Sequence, residues 1–272
     1  MNRFVGKVTI ITGAGSGIGR ALAEKLAARG AILVLADING PQVTQVVDQI
    51  KKTGRQARAV VLDVTEREAV REVVEATVAE HGRLDYLFNN AGIAVGGEAR
   101  DVSCDDWKRV IDVDLYGVIH GVCAAYPIMA AQGFGHIVNT ASMAGLAPFP
   151  GELSYTAGKY GVVGLTLGLR IEGADLGVKA SVVCPGIIDT PIYRVSKAVR
   201  FDKENALAEL PRGMTPQRCA EEILRGVEKN RAVIVVTFMA KCMYLIQRLS
   251  PGLMLWLFRQ YMKKMRRFRI EA

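Results

Sequence analysis

Tyr155 and Lys159 form a YxxxK pair, the combination in this sequence best suited to moving a proton. On a helix, a separation of four places both side chains on one face. A neighbouring ammonium favours phenolate over phenol, so Tyr155 is a candidate general acid/base whose pKa, about 10 when unperturbed, is expected to be drawn down. Ser142 lies thirteen residues upstream and offers a hydroxyl that can hydrogen bond a substrate oxygen.

A second chemistry is written between Thr12 and Gly19, in TGAGSGIG. Glycines permit a tight turn, and the amides and positive dipole of a following helix favour an anionic pyrophosphate. Gly13, Gly17 and Gly19 give GxxxGxG rather than the commoner GxGxxG, with Ser16 and Ile18 between them. Asp37 follows about twenty residues later, where a carboxylate can hold the adenosine ribose hydroxyls. The same charge would repel a 2′-phosphate. Ile38, Asn39 and Ser16 offer no basic clamp, so NAD is expected rather than NADP.

These residues need strands that end beside one another and helices that begin there. Short apolar runs at Val8–Ile11, Ile32–Ala36, Ala57–Leu62, Leu84–Phe88, His136–Thr140, Lys179–Cys184 and Ala232–Val236 read as buried strands. Helical patterns alternate with them: Ile18–Arg29, Pro41–Lys52, Glu66–His81, a long one through Trp107–Gln132, Tyr155 to about Leu176, and Pro216–Lys229. Seven strands alternating with helices, with no linker between them, predict one α/β, doubly wound Rossmann-type domain with a parallel seven-stranded sheet over residues 1–236. A helical C-terminal extension is expected over 237–272.

The ordered set TGAGSGIG, Asp63-Val64, NNAG at Asn89–Gly92, Ser142, YTAGK at Tyr155–Lys159 and PGIIDT at Pro185–Thr190 resembles the short-chain dehydrogenase/reductase family across residues 5–236. The resemblance implies an oxidoreductase passing hydride between a nicotinamide and a secondary alcohol or ketone. It implies that Asp63 and Val64 meet adenine and that Asn90, Ala91 and Gly92 line the middle of the cofactor. Pro185 and Gly186 belong to the same cofactor wall, and Ile188 and Thr190 secure the carboxamide. Ser142 would orient the substrate oxygen, Tyr155 transfer the proton, and Lys159 bind the nicotinamide ribose. Asp114 stands in Val113-Asp114-Leu115-Tyr116-Gly117 where many relatives carry asparagine in a proton relay, and its charge is expected to oppose phenolate formation. Two alternatives stay open: an NADP-preferring carbonyl reductase, and a dinucleotide-binding scaffold without turnover.

Loops at Ile93–Val95, Met143–Pro150 (with Leu146 and Phe149) and Ile187–Tyr193 are largely apolar, which points to a lipophilic small-molecule substrate; the family's substrate lid would fall at Tyr193–Leu210. Family members usually pair through the helices near 107–132 and 155–176, so a homodimer or homotetramer is implied. Cys104, Cys123, Cys184, Cys219 and Cys242 lack metal or disulfide spacing and read as buried apolar residues in a reducing compartment, and no metal site is expected.

Without an apolar leader, MNRFVGKV suggests a cytoplasmic address. The net charge of +8 is uneven: residues 1–240 hold 27 basic and 26 acidic side chains, whereas 241–272 hold 8 and one. A near-neutral body without a recognition motif argues against nucleic acid. From Leu253 to Phe258 the tail is apolar before Lys263, Lys264, Arg266, Arg267 and Arg269, and Pro251, Arg248 and Lys241 keep the stretch below spanning length. Two readings of it stand side by side: peripheral membrane association, or packing on the lid or a second subunit with the basic end solvated.

Overall fold

The structure, a computed structural model, describes residues 3–270. Its order is β1 (Val8–Thr12), α1 (Gly17–Ala28), β2 (Ile32–Asp37), α2 (Gly40–Lys52), β3 (Ala57–Val61), α3 (Arg67–His81), β4 (Tyr86–Asn89), β5 (Val95–Gly96), α4 (Cys104–Ile111), α5 (Gly117–Gln132), β6 (Gly135–Thr140) and α6 (Leu153–Glu172). Then follow β7 (Val178–Pro185), α7 (Ile192–Val195), β8 (Lys197–Ala198), α8 (Lys203–Ala208), α9 (Pro216–Glu228), β9 (Val233–Val236), α10 (Phe238–Leu249) and α11 (Pro251–Met265).

Seven strands form one parallel sheet in the order β3-β2-β1-β4-β6-β7-β9. The strands are apolar on both faces because helices cover both. Ile11, Leu35 and Phe88 pack under Leu22, Leu26, Val43 and Ile223, while their neighbours Ile10, Val34 and Leu87 turn the other way onto Val74, Ala125, Met129 and Val162. This alternation along each strand is what a doubly wound sheet requires. Helix starts carry the expected caps: Asn39 accepts the Gln42 amide before Pro41, and Thr215 accepts that of Arg218 before Pro216.

The long helix departs from the expected reading. It begins at Cys104, where Ser103 accepts the Asp106 amide, and widens into a π turn over Asp112–Tyr116 before continuing as α5. By length and composition the helix Cys104–Gln132, with mean hydropathy 1.3 over its most apolar eighteen residues, is apolar enough to cross a membrane. Here α5 lies against α3, β4 and β6 as a core helix. A small pairing of β5 with β8, which the sequence pattern did not announce, joins the loop after β4 to the segment after β7.

The cysteines also correct the sequence reading. Cys184 and Cys219 are buried, but Cys104 and Cys123 are exposed on α4 and α5 and Cys242 is half-buried. Small residues on the outer faces of helices are read as core only by composition.

Candidate active site

All seven strands of the main sheet end at one edge, and between β1 and β4 the strand order reverses, which opens a crevice at the switch point. Thr12 closes its floor: its Oγ accepts the Asn90 and Ala91 amides at 3.0 and 3.1 Å. Only glycine fits at position 13, where φ is +64° and a Cβ would stand 2.8 Å from the Ala91 Cα. The crevice is a cleft of about 650 Å³, within the range of cofactor sites.

Gly13, Ser16, Gly17 and Ile18 line one end of this cleft, Asp37, Asp63 and Val64 its side, Asn90, Ala91 and Gly92 its middle, and Pro185, Gly186, Ile188 and Thr190 its far wall with Ser142, Tyr155 and Lys159. Gly19 does not line it. A Cβ there would meet the Gly13 carbonyl at 2.1 Å, so Gly19 serves the close seating of α1 on the turn.

Asp37 is held by the Gly15 amide on Oδ2 (2.8 Å) and the Asn39 amide on Oδ1 (2.9 Å), and each oxygen keeps a lone pair for a further donor. Its neighbours in the cleft, Ile38, Leu62 and Val64, are apolar. A glycine turn at a helix N-terminus and an oriented carboxylate fit a dinucleotide.

At the other end, α6 presents Tyr155 and Lys159 one turn apart, and the Lys159 Nζ lies 5.3 Å from the Tyr155 ring centre. Lys159 is buried; its Nζ donates to the Thr140 carbonyl at 3.2 Å and meets Asp114 Oδ2 at 3.1 Å. Asp114 comes from the π turn, is fully buried, and does not face the cleft. Its Oδ1 accepts the Ile93 amide at 2.8 Å, while Oδ2 sits at ion-pair distance without a well-directed hydrogen bond.

These surroundings reverse the expected direction of the tyrosine shift. Burial pushes the Tyr155 phenol well above its ordinary value, the Asp114 charge pushes it further, and the Ser142 hydroxyl beside it pulls only partly back. Burial likewise raises the Asp114 carboxyl, against the pull of Lys159 and the Ile93 amide. The oxygen that would receive the proton therefore stays protonated in the free protein. Beneath the site runs a chain that spacing did not reveal: Asn89 Nδ2 to Asn139 Oδ1 (2.9 Å), and Asn139 Nδ2 to Thr166 Oγ1 (3.0 Å). Gly121 makes room for it, since a Cβ there would fall 2.2 Å from the Asn89 Oδ1.

A second pocket of about 180 Å³ opens beside Ser142 and Tyr155. Met143, Phe149, Ile187 and Tyr193 wall it as the loop reading expected, but Leu146 turns into the core against the sheet. The lid segment contributes Phe201, Leu207 and Leu210, and α11 supplies the remaining wall through Tyr261, Met262 and Met265. Met254 and Phe258 pack on Ala147 and Phe149. The basic end of the tail is not simply solvated: Arg266 meets the buried Glu98 at 2.9 Å and Arg269 bonds Asp101 at 3.0 Å. No local sequence signal pairs residues this far apart.

Glu152, which precedes α6, was also missed. It lines the second pocket with no cationic partner within ion-pair distance among the described residues, and burial lifts its carboxyl to about 7. Its charge reaches Tyr155, Tyr193 and Tyr261, raising all three phenols.

A family model described as short chain dehydrogenase matches residues 7–199. A putative oxidoreductase, SadH, of Mycobacterium tuberculosis is 40% identical over 255 residues, covering 92% of both chains. A cyclohexanol dehydrogenase of Acinetobacter is 43% identical over 212 residues, 77% of this chain and 84% of that one. Among solved structures, a short chain dehydrogenase/reductase from Burkholderia phymatum in complex with NAD superposes with a TM-score of 0.84 at 33% identity, covering 93% of this chain and 96% of that one.

Glu152 supplies a test of the pocket's polarity. A carboxyl whose folded value is raised contributes most below its unfolded pKa of 4.5, and stability is lost as pH rises through about 7. Glu152→Gln should match the native protein in urea unfolding below the lower value and exceed it above the upper one, by at most about 3 kcal/mol.

Proposed function

Since the chain belongs to the short-chain dehydrogenase/reductase family, whose members act on CH–OH and C=O groups, we propose that it is an NAD-dependent dehydrogenase of a lipophilic secondary alcohol, or reductase of the matching ketone. The single observation that carries this reading is the convergence of Ser142, Tyr155 and Lys159 where the dinucleotide cleft meets an apolar pocket. Bound in the cleft, the nicotinamide would supply or accept hydride. Asp37 would hold the adenosine ribose, and Asp63 and Val64 would border the adenine. Asn90, Ala91 and Gly92 would line the middle, with Pro185, Gly186, Ile188 and Thr190 on the nicotinamide side.

Ser142 would hydrogen bond the substrate oxygen and fix it beside the Tyr155 hydroxyl. In oxidation Tyr155 takes the hydroxyl proton, so it must first be phenolate; in reduction it donates the proton it already holds. Lys159, anchored on the Thr140 carbonyl and Asp114 beside the Tyr155 ring, would bind the nicotinamide ribose. With its proton retained by burial and by Asp114, Tyr155 is set for reduction at neutral pH and for oxidation at higher pH. The pocket's methionines and aromatic rings suit a hydrocarbon-rich substrate, and the curated relative named for cyclohexanol is of that kind. Residues up to 236 form the catalytic body in this reading, and the described part of the extension, 237–270, closes its substrate side. The exposed Tyr116 and Tyr160 on the α5 and α6 side offer apolar area for pairing two copies.

Three outcomes test this. Tyr155→Phe should lower kcat for lipophilic alcohols and ketones by at least about a hundredfold, the size of a lost general acid/base, with NAD binding by calorimetry retained. Asp37→Ala should weaken NAD and narrow its advantage over NADP, read from the two dissociation constants. Asp114→Asn removes a charge that holds the phenol protonated, so the rise of kcat/KM for oxidation with pH should move to lower pH; an unmoved profile would sink the role given to Asp114.

A further inference from the structure

The C-terminal hairpin turns one apolar face onto the substrate pocket, but a second one faces outward. On α10 the outward stripe is Phe238, Lys241, Leu245, Arg248 and Leu249, at helical spacing. Around the tip and along α11, Leu253, Leu255 and Trp256 are exposed, and Arg259, Lys263 and Arg267 follow. Phe238 is 81% exposed, Leu249 76% and Trp256 56%.

Charge says what this face fits. Between residues 238 and 270 there is no acidic side chain. The cations on the inner side are matched, Lys264 by Glu209, Arg266 by Glu98 and Arg269 by Asp101. Lys241, Arg248, Arg259, Lys263 and Arg267 have no carboxylate within ion-pair distance among the described residues. A second copy meeting this face through a two-fold axis would bring up a surface of the same sign, with no carboxylate between residues 238 and 270 to pair the cations. An anionic lipid surface offers both missing partners, phosphate for the cations and an acyl boundary for the leucines and Trp256.

We propose that the outer face of α10 and α11 docks the protein on anionic membrane, so that the helix walling the substrate pocket rests at the lipid boundary. The inference extends the lipophilic-substrate reading but is tested apart from it, because binding is measured without turnover.

Full-length protein should float with vesicles of equal parts phosphatidylcholine and phosphatidylglycerol, and far less with phosphatidylcholine alone. Arg259→Gln, Lys263→Gln and Arg267→Gln together should weaken partitioning by about a hundredfold, as the loss of three near-surface charges implies. Trp256→Ser should weaken it without altering the thermal unfolding transition. In a Trp107→Phe background, emission from Trp256, then the only tryptophan, should shift to shorter wavelength on adding the anionic vesicles. Failure of the native protein to float with them overturns the proposal, as does equal flotation with both vesicle types. A Trp256→Ser change that instead splits an oligomer in light scattering, with no flotation of the native protein, would assign the face to a second copy and equally overturn it.

Discussion

A carboxylate and an ammonium meet in the interior of this protein, and four segments depend on their meeting. Asp114 brings the π turn of the long helix, and through Ile93 it holds the loop after β4; Lys159 brings α6, and through Thr140 the end of β6. Removing either partner of a buried pair leaves an uncompensated charge, which costs far more than the pair is worth together. The pair also bears on the candidate catalytic corner, because burial and the Asp114 charge both raise the Tyr155 phenol.

The other residues proposed to hold ligand hang from the parallel sheet. A strand order that reverses between β1 and β4 delivers the glycine turn, Asp37, the Asn90–Gly92 loop and Ser142 to one edge without any of them being near in sequence. The fold thus separates two tasks. Helices on both faces supply stability, while the loops at the strand ends carry chemistry and can vary without disturbing the core.

Much of this was legible from residues alone because it is local. The strand, turn and helix from Val8 to Ala28, the carboxylate closing β2, and a tyrosine and lysine one helical turn apart each show in a short window. What escaped was decided by distant partners. Leu146 looks like a pocket residue until the sheet packs on it, and Gly19 looks like a ligand contact until the Gly13 carbonyl is seen against it. Glu152 carries no motif; its raised carboxyl follows only from the walls around it. Neither Glu98 nor Asp101 announces that it will hold arginines some 168 residues away. The lowered tyrosine pKa expected from Lys159 failed for the same reason, since one neighbour was weighed without burial or the opposing charge.

The roof over the substrate pocket has a consequence for how the protein is made. Every residue lining the dinucleotide cleft lies at or before Tyr193, whereas Tyr261, Met262, Met265 and the arginines that clasp Glu98 and Asp101 lie beyond residue 260. Translation delivers the chain N-terminus first. A nascent chain therefore has every residue of the larger cleft before the smaller pocket can close, and the order of synthesis completes the proposed substrate chamber last.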